Sequence, residues 1–150
     1  MYESKQAVID AVDKFSEVTG IPKNVIIIGG GGAMVLRDLL GETNDLNLWV
    51  HEVHFKALAE KHHVVNHPLV DTIVYVKEAN AWVRQYNPYF EAEVIGGCLF
   101  SIYKVLPMLV FYRSSYQEYR RPAAKRLKDH EQIVKLNNLI SITNKVKEVA

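Results

Sequence analysis

The stretch IIIGGGGAMVLRDLLGETNDLNLWV, residues 26–50, decides the fold, because it holds two predicted strands on either side of four consecutive glycines. The β-branched run at residues 25–28 predicts a short buried strand. Residues 33–40 are strong helix formers and predict a short helix that Gly41 ends. Residues 45–50 alternate polar and apolar side chains, which predicts a half-buried strand. Its two predicted faces are Leu46, Leu48 and Val50 on the apolar side, and Asp45, Asn47 and Trp49 on the other.

The sequence on both sides of this stretch predicts an α+β protein. Residues 4–18 carry apolar side chains at helical spacing, with Ser4 suited to cap the helix and Gly20 to end it. Further helices are predicted at residues 54–63, 102–113 (bent or broken at Pro107) and 127–140, and further strands at residues 71–76 and 89–95. Arg84 and Gln85 are expected to lie in a turn. This order of elements predicts a small mixed β-sheet with helices packed on it, in a single domain of residues 1–150.

Composition and charge exclude several classes of protein. A chain of 150 residues with 49% hydrophobic and 23% charged residues is typical of one compact domain, not of a disordered or fibrous protein. The formal net charge of +1 gives no general attraction to nucleic acid or membrane. The first ten residues lack a signal-peptide pattern, and the longest apolar segment, residues 105–112, is too short to span a membrane. We therefore expect a cytoplasmic protein, with its single cysteine, Cys98, as core filler in a reducing compartment.

A strand that runs into glycines and then into a helix can bind phosphate, because bare backbone lets an anion approach N–H groups. Two well-known versions of this arrangement do not fit. A dinucleotide fingerprint requires a glycine where Met34 or Val35 stands, and an acid at the end of the next strand, whereas Asp45 begins it. A P-loop requires a Gly-Lys-Ser/Thr sequence, which does not follow the glycines. Both interpretations are therefore weak.

Two sequence motifs resemble those of a known superfamily. The sequence GGGGAMVL at residues 29–36, followed by TNDLNL at residues 43–48, is similar to the GG…T-x-D-x-D signature of the polymerase-β-type nucleotidyltransferases. The similarity is greatest to the small bacterial and phage members of the minimal and AbiEii-like kind. The sequence KRLKDH at residues 125–130 resembles the R-x-K-D helix start found late in the same proteins. Between these motifs the resemblance lies only in the order of the elements.

The resemblance implies a metal-dependent nucleotidyltransferase. Gly29, Gly30 and Gly31 would hold the phosphates of an NTP, and Asp45 and Asn47 would bind the Mg²⁺ or Mn²⁺ that carries the triphosphate. Side chains at positions i and i+2 of a strand point the same way, so two such ligands can share a metal pair with a third acid from a neighbouring strand. The candidates for this third acid are Glu91, Glu93 and Asp71. The implied reaction is transfer of a nucleotidyl group to a hydroxyl of an RNA, a protein or a small molecule.

Asn47 stands where the signature of the superfamily has its second aspartate. An amide oxygen can ligate Mg²⁺, but the change removes one negative charge and so lowers the affinity for metal. A second hypothesis is therefore open, in which the chain is a catalytically degenerate relative that binds a nucleotide, a nucleic acid or a protein partner without turnover. Because the chain is short and has no recognisable second substrate domain, self-association or a partner protein is expected to complete the site.

A basic, tyrosine-containing stretch occupies residues 113–128. It holds six basic residues against one acid, Glu118. The basic residues are Arg113, Arg120, Arg121, Lys125, Arg126 and Lys128. Such a stretch predicts contacts with the phosphates of an RNA or of a triphosphate, where Lys125, Arg126 or Lys128 would offset negative charge in the transition state. The alternative is a solvated loop and helix start.

Overall fold

The computed structural model describes residues 1–66, 72–86, 91–94, 101–117 and 121–149. The chain divides into two compact units, Met1–Tyr103 and Lys104–Ala150. Within the described residues, the first unit holds a β-sheet with three α-helices and the second unit holds two α-helices. Asp71, Cys98 and part of the strand predicted at residues 89–95 lie outside the described residues. The single domain stays a prediction.

The mixed α+β class predicted from the sequence is confirmed. The strands of the described residues are β1 (Ile27–Gly29), β2 (Leu46–Val50), β3 (His63–Val65), β4 (Ile73–Val76), β5 (Ala81–Gln85), β6 (Ala92–Glu93) and β7 (Ser101–Tyr103). The α-helices are α1 (Lys5–Thr19), α2 (Gly30–Leu36), α3 (Glu52–Lys61), α4 (Val105–Gln117) and α5 (Ala123–Val149). The strands form one mixed sheet in the order β3-β4-β5-β2-β1-β7-β6, in which β2–β5 and β1–β7 are the parallel pairs.

The first helix forms as predicted. The hydroxyl oxygen of Ser4 accepts a hydrogen bond of 3.1 Å from the backbone N–H of Ala7, which satisfies one of the free donors at the start of α1. Gly20 ends the helix in the left-handed region, with φ of 75°. Such a backbone is readily adopted by glycine and costs other residues strain. The buried side chains of α1 are Val8, Ala11, Val12 and Phe15.

One face of the sheet is the core of the first unit. Three side chains of β2 are fully buried there, namely Leu46, Leu48 and Val50. Ile28 pairs with Leu48 across β1 and β2 and is also fully buried. A side chain added at Gly32 would collide with Ile28 and touch Val8, so α1 and α2 pack on this face. Burial of these aliphatic side chains stabilises the unit by roughly 1.5–3 kcal/mol for each.

The other face of β2 carries Asn47 and Trp49, as the alternation predicted. The prediction that the strand is half-buried was wrong, because Trp49 is only 6% exposed. Near Trp49, both faces of β2 are therefore buried. The side chain of Asn47, on the same face as Trp49, keeps partial access to solvent. This second face is the one on which a nucleotide site was predicted.

The helix after the glycines begins earlier than predicted. α2 spans Gly30–Leu36 instead of residues 33–40, so glycines form its first turn. Gly41 is not its stop. The helix ends at Leu36, and Asp38 follows in the left-handed region with φ of 62°. This backbone turns the chain away from the helical path before Gly41 is reached.

Three strands, β3, β5 and β7, were not predicted from the sequence. Of these, β5 matters most for the site, because it pairs in parallel with β2 through the whole of Leu46–Val50. Arg84 and Gln85 lie on β5 and not in a turn. Ala81 and Val83 are fully buried, since they alternate with the other β5 side chains and face the core.

The second unit consists of α4 and α5. α4 begins at Val105, three residues later than predicted, and runs without a break through Pro107. Proline is tolerated there because a residue in the first turn of a helix has no carbonyl group within the helix to which its N–H could donate. α5 extends beyond residues 127–140 at both ends. Neither these two helices nor any other helix in the described ranges is long and apolar enough to cross a membrane.

Candidate functional site

The side chains of Asn47 and Arg84 are joined across the parallel strands β2 and β5. Nη1 of Arg84 donates a hydrogen bond of 3.0 Å to Oδ1 of Asn47. The register of the two strands explains the contact, because Trp82 pairs with Asn47 and Arg84 pairs with Trp49, which places all four side chains on one face. The amide oxygen of Asn47, the atom expected to bind a metal ion, thus accepts a hydrogen bond from a cation.

The strands on either side of β2 bring no acid to this face. β1 supplies Ile27 and Gly29, and β5 supplies Trp82 and Arg84. A metal pair shared with Asn47 would require a carboxylate at one of these neighbouring positions. The structure instead places a guanidinium there.

Trp49 fills the space next to the first glycine. A Cβ added at Gly29 would lie 2.5 Å from Cζ3 of Trp49, 3.0 Å from Cη2 of Trp49 and 3.1 Å from Cδ2 of Tyr103. Arg84 covers the same indole, with its guanidinium carbon 5.2 Å from the ring centroid. Gly29 is therefore required by the packing of Trp49, and this close approach is made by a side chain of the protein itself.

The next two glycines are also explained by packing. Gly30 has φ of 57°, a left-handed backbone that favours glycine, and a Cβ there would lie 3.0 Å from Nδ2 of Asn47. A Cβ at Gly31 would overlap the hydroxyl of Thr43. Both side chains come from the segment that enters β2 or from β2 itself. Gly29 pairs with Asn47 across β1 and β2 and Gly30 lies next to the Asn47 side chain, whereas Gly31 lies against Thr43. All three glycines thus approach protein side chains.

Aromatic rings continue from Trp49 along this face. The ring centroids of Trp49 and Tyr103 lie 5.0 Å apart in an edge-to-face arrangement at 79°. Tyr86 stacks on Tyr103 at 6.4 Å, and His51 lies 5.1 Å from Tyr86. Such ring pairs add to the energy of burial and hold one another in place. Among the described residues, the neighbours of Asn47 on this face thus include aromatic rings and the guanidinium of Arg84, where the resemblance implied a cluster of acids.

Glu93 lies far from Asn47 and on the opposite face. It pairs with Ile102 on β7, and Ile102 pairs with Ile28, which faces the core with Leu48. β6 is three strands from β2, roughly 14 Å at the usual spacing of neighbouring strands. Oε1 of Glu93 also accepts a hydrogen bond of 2.7 Å from Nη2 of Arg37. The structure does not bring Glu93 to Asn47.

Of the other predicted acids, Asp45 and Glu91 are among the described residues. Asp45 immediately precedes β2 and is exposed, and Glu91 is exposed just before β6. Asp71 lies outside the described residues. In the part of the chain that the structure describes, no three His, Cys, Asp or Glu side chains form a group that could hold a metal ion. The described donor set around Asn47 therefore does not fit a pair of Mg²⁺ ions, and a magnesium site stays a prediction.

In the second unit, one of the predicted basic residues pairs with a buried acid, whereas others are exposed. Nε of Arg121 donates a hydrogen bond of 2.6 Å to Oδ2 of Asp129, whose carboxylate is 2% exposed, and Nη2 donates a second of 3.1 Å to Oδ1. Burial raises the pKa of Tyr112, and the charge of Asp129 raises it further. Arg121 thus pairs with a buried carboxylate, although 33% of its own side chain is exposed. Lys125 and Lys128 are exposed on α5.

Arg126 is held against Tyr116. Its guanidinium carbon lies 5.0 Å from the centroid of the Tyr116 ring, and its Nε donates a hydrogen bond of 2.9 Å to the backbone oxygen of Tyr116. Arg113 donates to Oδ1 of Asn137 at 3.4 Å. Arg120 lies outside the described residues. The predicted triphosphate ligands Lys125, Arg126 and Lys128 all belong to the first two turns of α5.

From the sequence, Arg84 was expected in a turn where it could contact substrate, and its contact with Asn47 was missed. The roles of Trp49 and Arg37 in this site were missed as well. Arg84 could have been found from the alternation of Ala81 to Gln85, in which apolar Ala81 and Val83 alternate with Trp82 and Arg84. No pattern in the sequence indicated the role of Arg37, because its contact with Glu93 depends on the packing of the end of α2 near β6.

The chain matches no protein-family model, and no curated protein matches it in sequence.

Proposed function

We propose that this chain is a catalytically degenerate nucleotidyltransferase-like protein that works in the cytoplasm as a binding module and does not turn over NTP. The hydrogen bond from Arg84 to Asn47 carries this proposal. It supports the loss of metal chemistry because a fixed cation occupies the position beside Asn47 where a carboxylate would be needed. Because Asn47 brings no charge of its own, this pair lacks the negative charge that would attract Mg²⁺.

Two further observations support the same proposal. The glycine turn that would cradle phosphates accommodates Trp49, Asn47 and Thr43. Glu93, a candidate for the third acid, is held by Arg37 on the opposite face. Each of these contacts gives a structural reason for a residue that the resemblance would assign to catalysis.

The experiment that tests this function is a search for NTP consumption. Purified protein is incubated with each of the four NTPs and Mg²⁺ or Mn²⁺, and release of pyrophosphate is measured. We expect the wild type to release no more pyrophosphate than Asp45→Ala or a reaction without protein. The control variant is Asp10→Ala, which removes an exposed carboxylate from α1. Turnover by the wild type and by the control, abolished in Asp45→Ala, would contradict the proposal and establish a transferase.

The expected self-association or protein partner stays part of this proposal. A binding module with no completed catalytic site can act as a dimer or as a subunit of a larger assembly. Light scattering measures the mass in solution, and the mass calculated for one chain is 17.1 kDa. A single species of that mass would exclude self-association.

A further inference from the structure

The net charge of +1 conceals two units of opposite charge. The second unit, Lys104–Ala150, contains ten Lys and Arg against four Asp and Glu. The first unit, Met1–Tyr103, contains eight Lys and Arg against thirteen Asp and Glu. Charge in the second unit is therefore strongly positive for its size. A surface of one sign raises the local concentration of ligands of the other sign and speeds their association.

Most of the described cations near the start of α5 keep their charge uncompensated. Arg121 is neutralised by Asp129. Among the described residues, no ion pair involves Arg113, Lys125, Arg126 or Lys128, and the hydrogen-bond acceptors of Arg113 and Arg126 are uncharged. We call these four residues the basic surface. The four positive charges lie on α4 and α5, and each is exposed or partly exposed to solvent.

An aromatic ring lies against one member of the basic surface, Arg126. Tyr116 is 37% exposed, and Arg126 lies over its ring at 5.0 Å. His130, one turn after Arg126, lies 5.7 Å from the same ring. The hydrogen bond from Arg126 to the backbone of Tyr116 fixes the guanidinium, so less side-chain entropy is lost when it contacts a ligand. Leu127, beside these groups on α5, is 61% exposed and adds apolar surface.

We propose that the basic surface and Tyr116 bind single-stranded nucleic acid. Lys125, Lys128 and Arg113 would contact phosphates, and a base would stack on Tyr116 and Arg126. Cationic side chains next to an exposed ring suit a flexible strand, because its bases are free to stack, whereas the bases of a duplex are not. An acidic protein would use the charges but would not require the ring. This inference extends the proposed binding module by naming its ligand class.

The first experiment measures binding of the full-length protein to labelled dodecamers of U or dT by fluorescence anisotropy, without NTP. With about four phosphate contacts on a single strand, affinity should fall roughly 50-fold between 50 and 200 mM salt. Lys125→Glu/Lys128→Glu should weaken binding more than about tenfold and reduce the salt slope. The matched control is Lys56→Glu/Lys61→Glu on α3, which changes charge equally and should bind within about twofold of the wild type.

The second experiment separates nucleic acid from other polyanions. Tyr116→Leu should weaken binding to either dodecamer about tenfold, whereas Tyr116→Phe, which keeps the ring, should bind like the wild type. Circular dichroism confirms that each variant is folded. A tighter complex with U than with dT assigns RNA, and the reverse assigns DNA. Two results together would overturn the proposal in favour of an acidic protein. The Lys125→Glu/Lys128→Glu variant would lose as much affinity for polyglutamate as for the dodecamers, and Tyr116→Leu would leave the affinity for the dodecamers unchanged.

The two proposals fail in different ways. Absence of dodecamer binding at 50 mM salt, together with absence of NTP turnover, would overturn the nucleic-acid ligand and leave the degenerate fold standing. NTP turnover by the wild type would overturn the degenerate fold and leave the dodecamer measurements unchanged, because they contain no NTP. A preference for duplex over single strand would overturn the stacking role of Tyr116.

Discussion

Arg84 lies 3.0 Å from Asn47 across two parallel strands that are separated by more than thirty residues in sequence. The contact joins a guanidinium to the residue that the resemblance implied as a metal ligand. We propose that a cation so close to Asn47 disfavours a metal ion there, since two like charges a few ångströms apart repel each other even with partial solvent access. The pair therefore connects the fold to its proposed lack of catalysis.

Restoring the acid at Asn47 should create an ion pair and not a metal site. In Asn47→Asp, the new carboxylate accepts the hydrogen bond from Arg84 with charge assistance, so the free energy of unfolding should rise by about 0.5 kcal/mol at low salt. The gain should shrink as salt is raised. Urea unfolding measures it, with Asn24→Asp, an exposed asparagine of the same unit, as the control. A rise in stability that appears only with Mg²⁺ would argue for a metal site.

Gly29 should be essential for stability. Gly29→Ala places a Cβ 2.5 Å from the indole of Trp49, and overpacking of this kind costs roughly 1–3 kcal/mol. The loss should appear as a lower urea midpoint. Gly41→Ala is the matched control, because a Cβ at Gly41 meets nothing within 4 Å. If Gly29→Ala keeps full stability, Trp49 does not depend on this glycine and the phosphate-cradle interpretation regains support.

Tyr112 should make the protein less stable in alkaline solution. Its pKa in the folded chain is raised above the ordinary value of 10.0, chiefly by burial. Above about pH 10 the unfolded chain loses this proton while the folded chain keeps it, so stability falls by up to about 1.4 kcal/mol per pH unit. Tyr112→Phe should reduce the loss of unfolding free energy between pH 10 and 11, whereas Phe111→Leu should leave this loss unchanged. Urea midpoints at pH 8, 10 and 11 measure the effect, and parallel curves for wild type and Tyr112→Phe would contradict it.

Local patterns predicted those parts of the fold that depend on nearby residues. The cap at Ser4, the end of α1 at Gly20 and the alternation of β2 are encoded within a few residues, so the sequence was sufficient for them. The site depends on pairing between distant strands. Nothing local to Asn47 indicates that Arg84 lies beside it, because that contact requires the parallel register of β2 and β5.

The placement of Glu93 shows the same limit. Alternation predicted that Glu91 and Glu93 share a face, but the order of the strands puts β6 at the edge of the sheet, away from β2. Local periodicity cannot reveal which strands are neighbours. The roles of the glycines were missed for a related reason, since Gly29 is explained only once Trp49 is known to cross it.

The most direct test of the central claim is a calorimetric titration of Mn²⁺ into the wild type, in the presence of a non-hydrolysable NTP analogue. With Arg84 beside Asn47, we predict no saturable heat that differs between the wild type and Asp45→Ala. Saturable binding of Mn²⁺ by the wild type that is lost in Asp45→Ala and retained in Asp10→Ala would show that Asp45 holds a metal ion at this site, and would contradict the account.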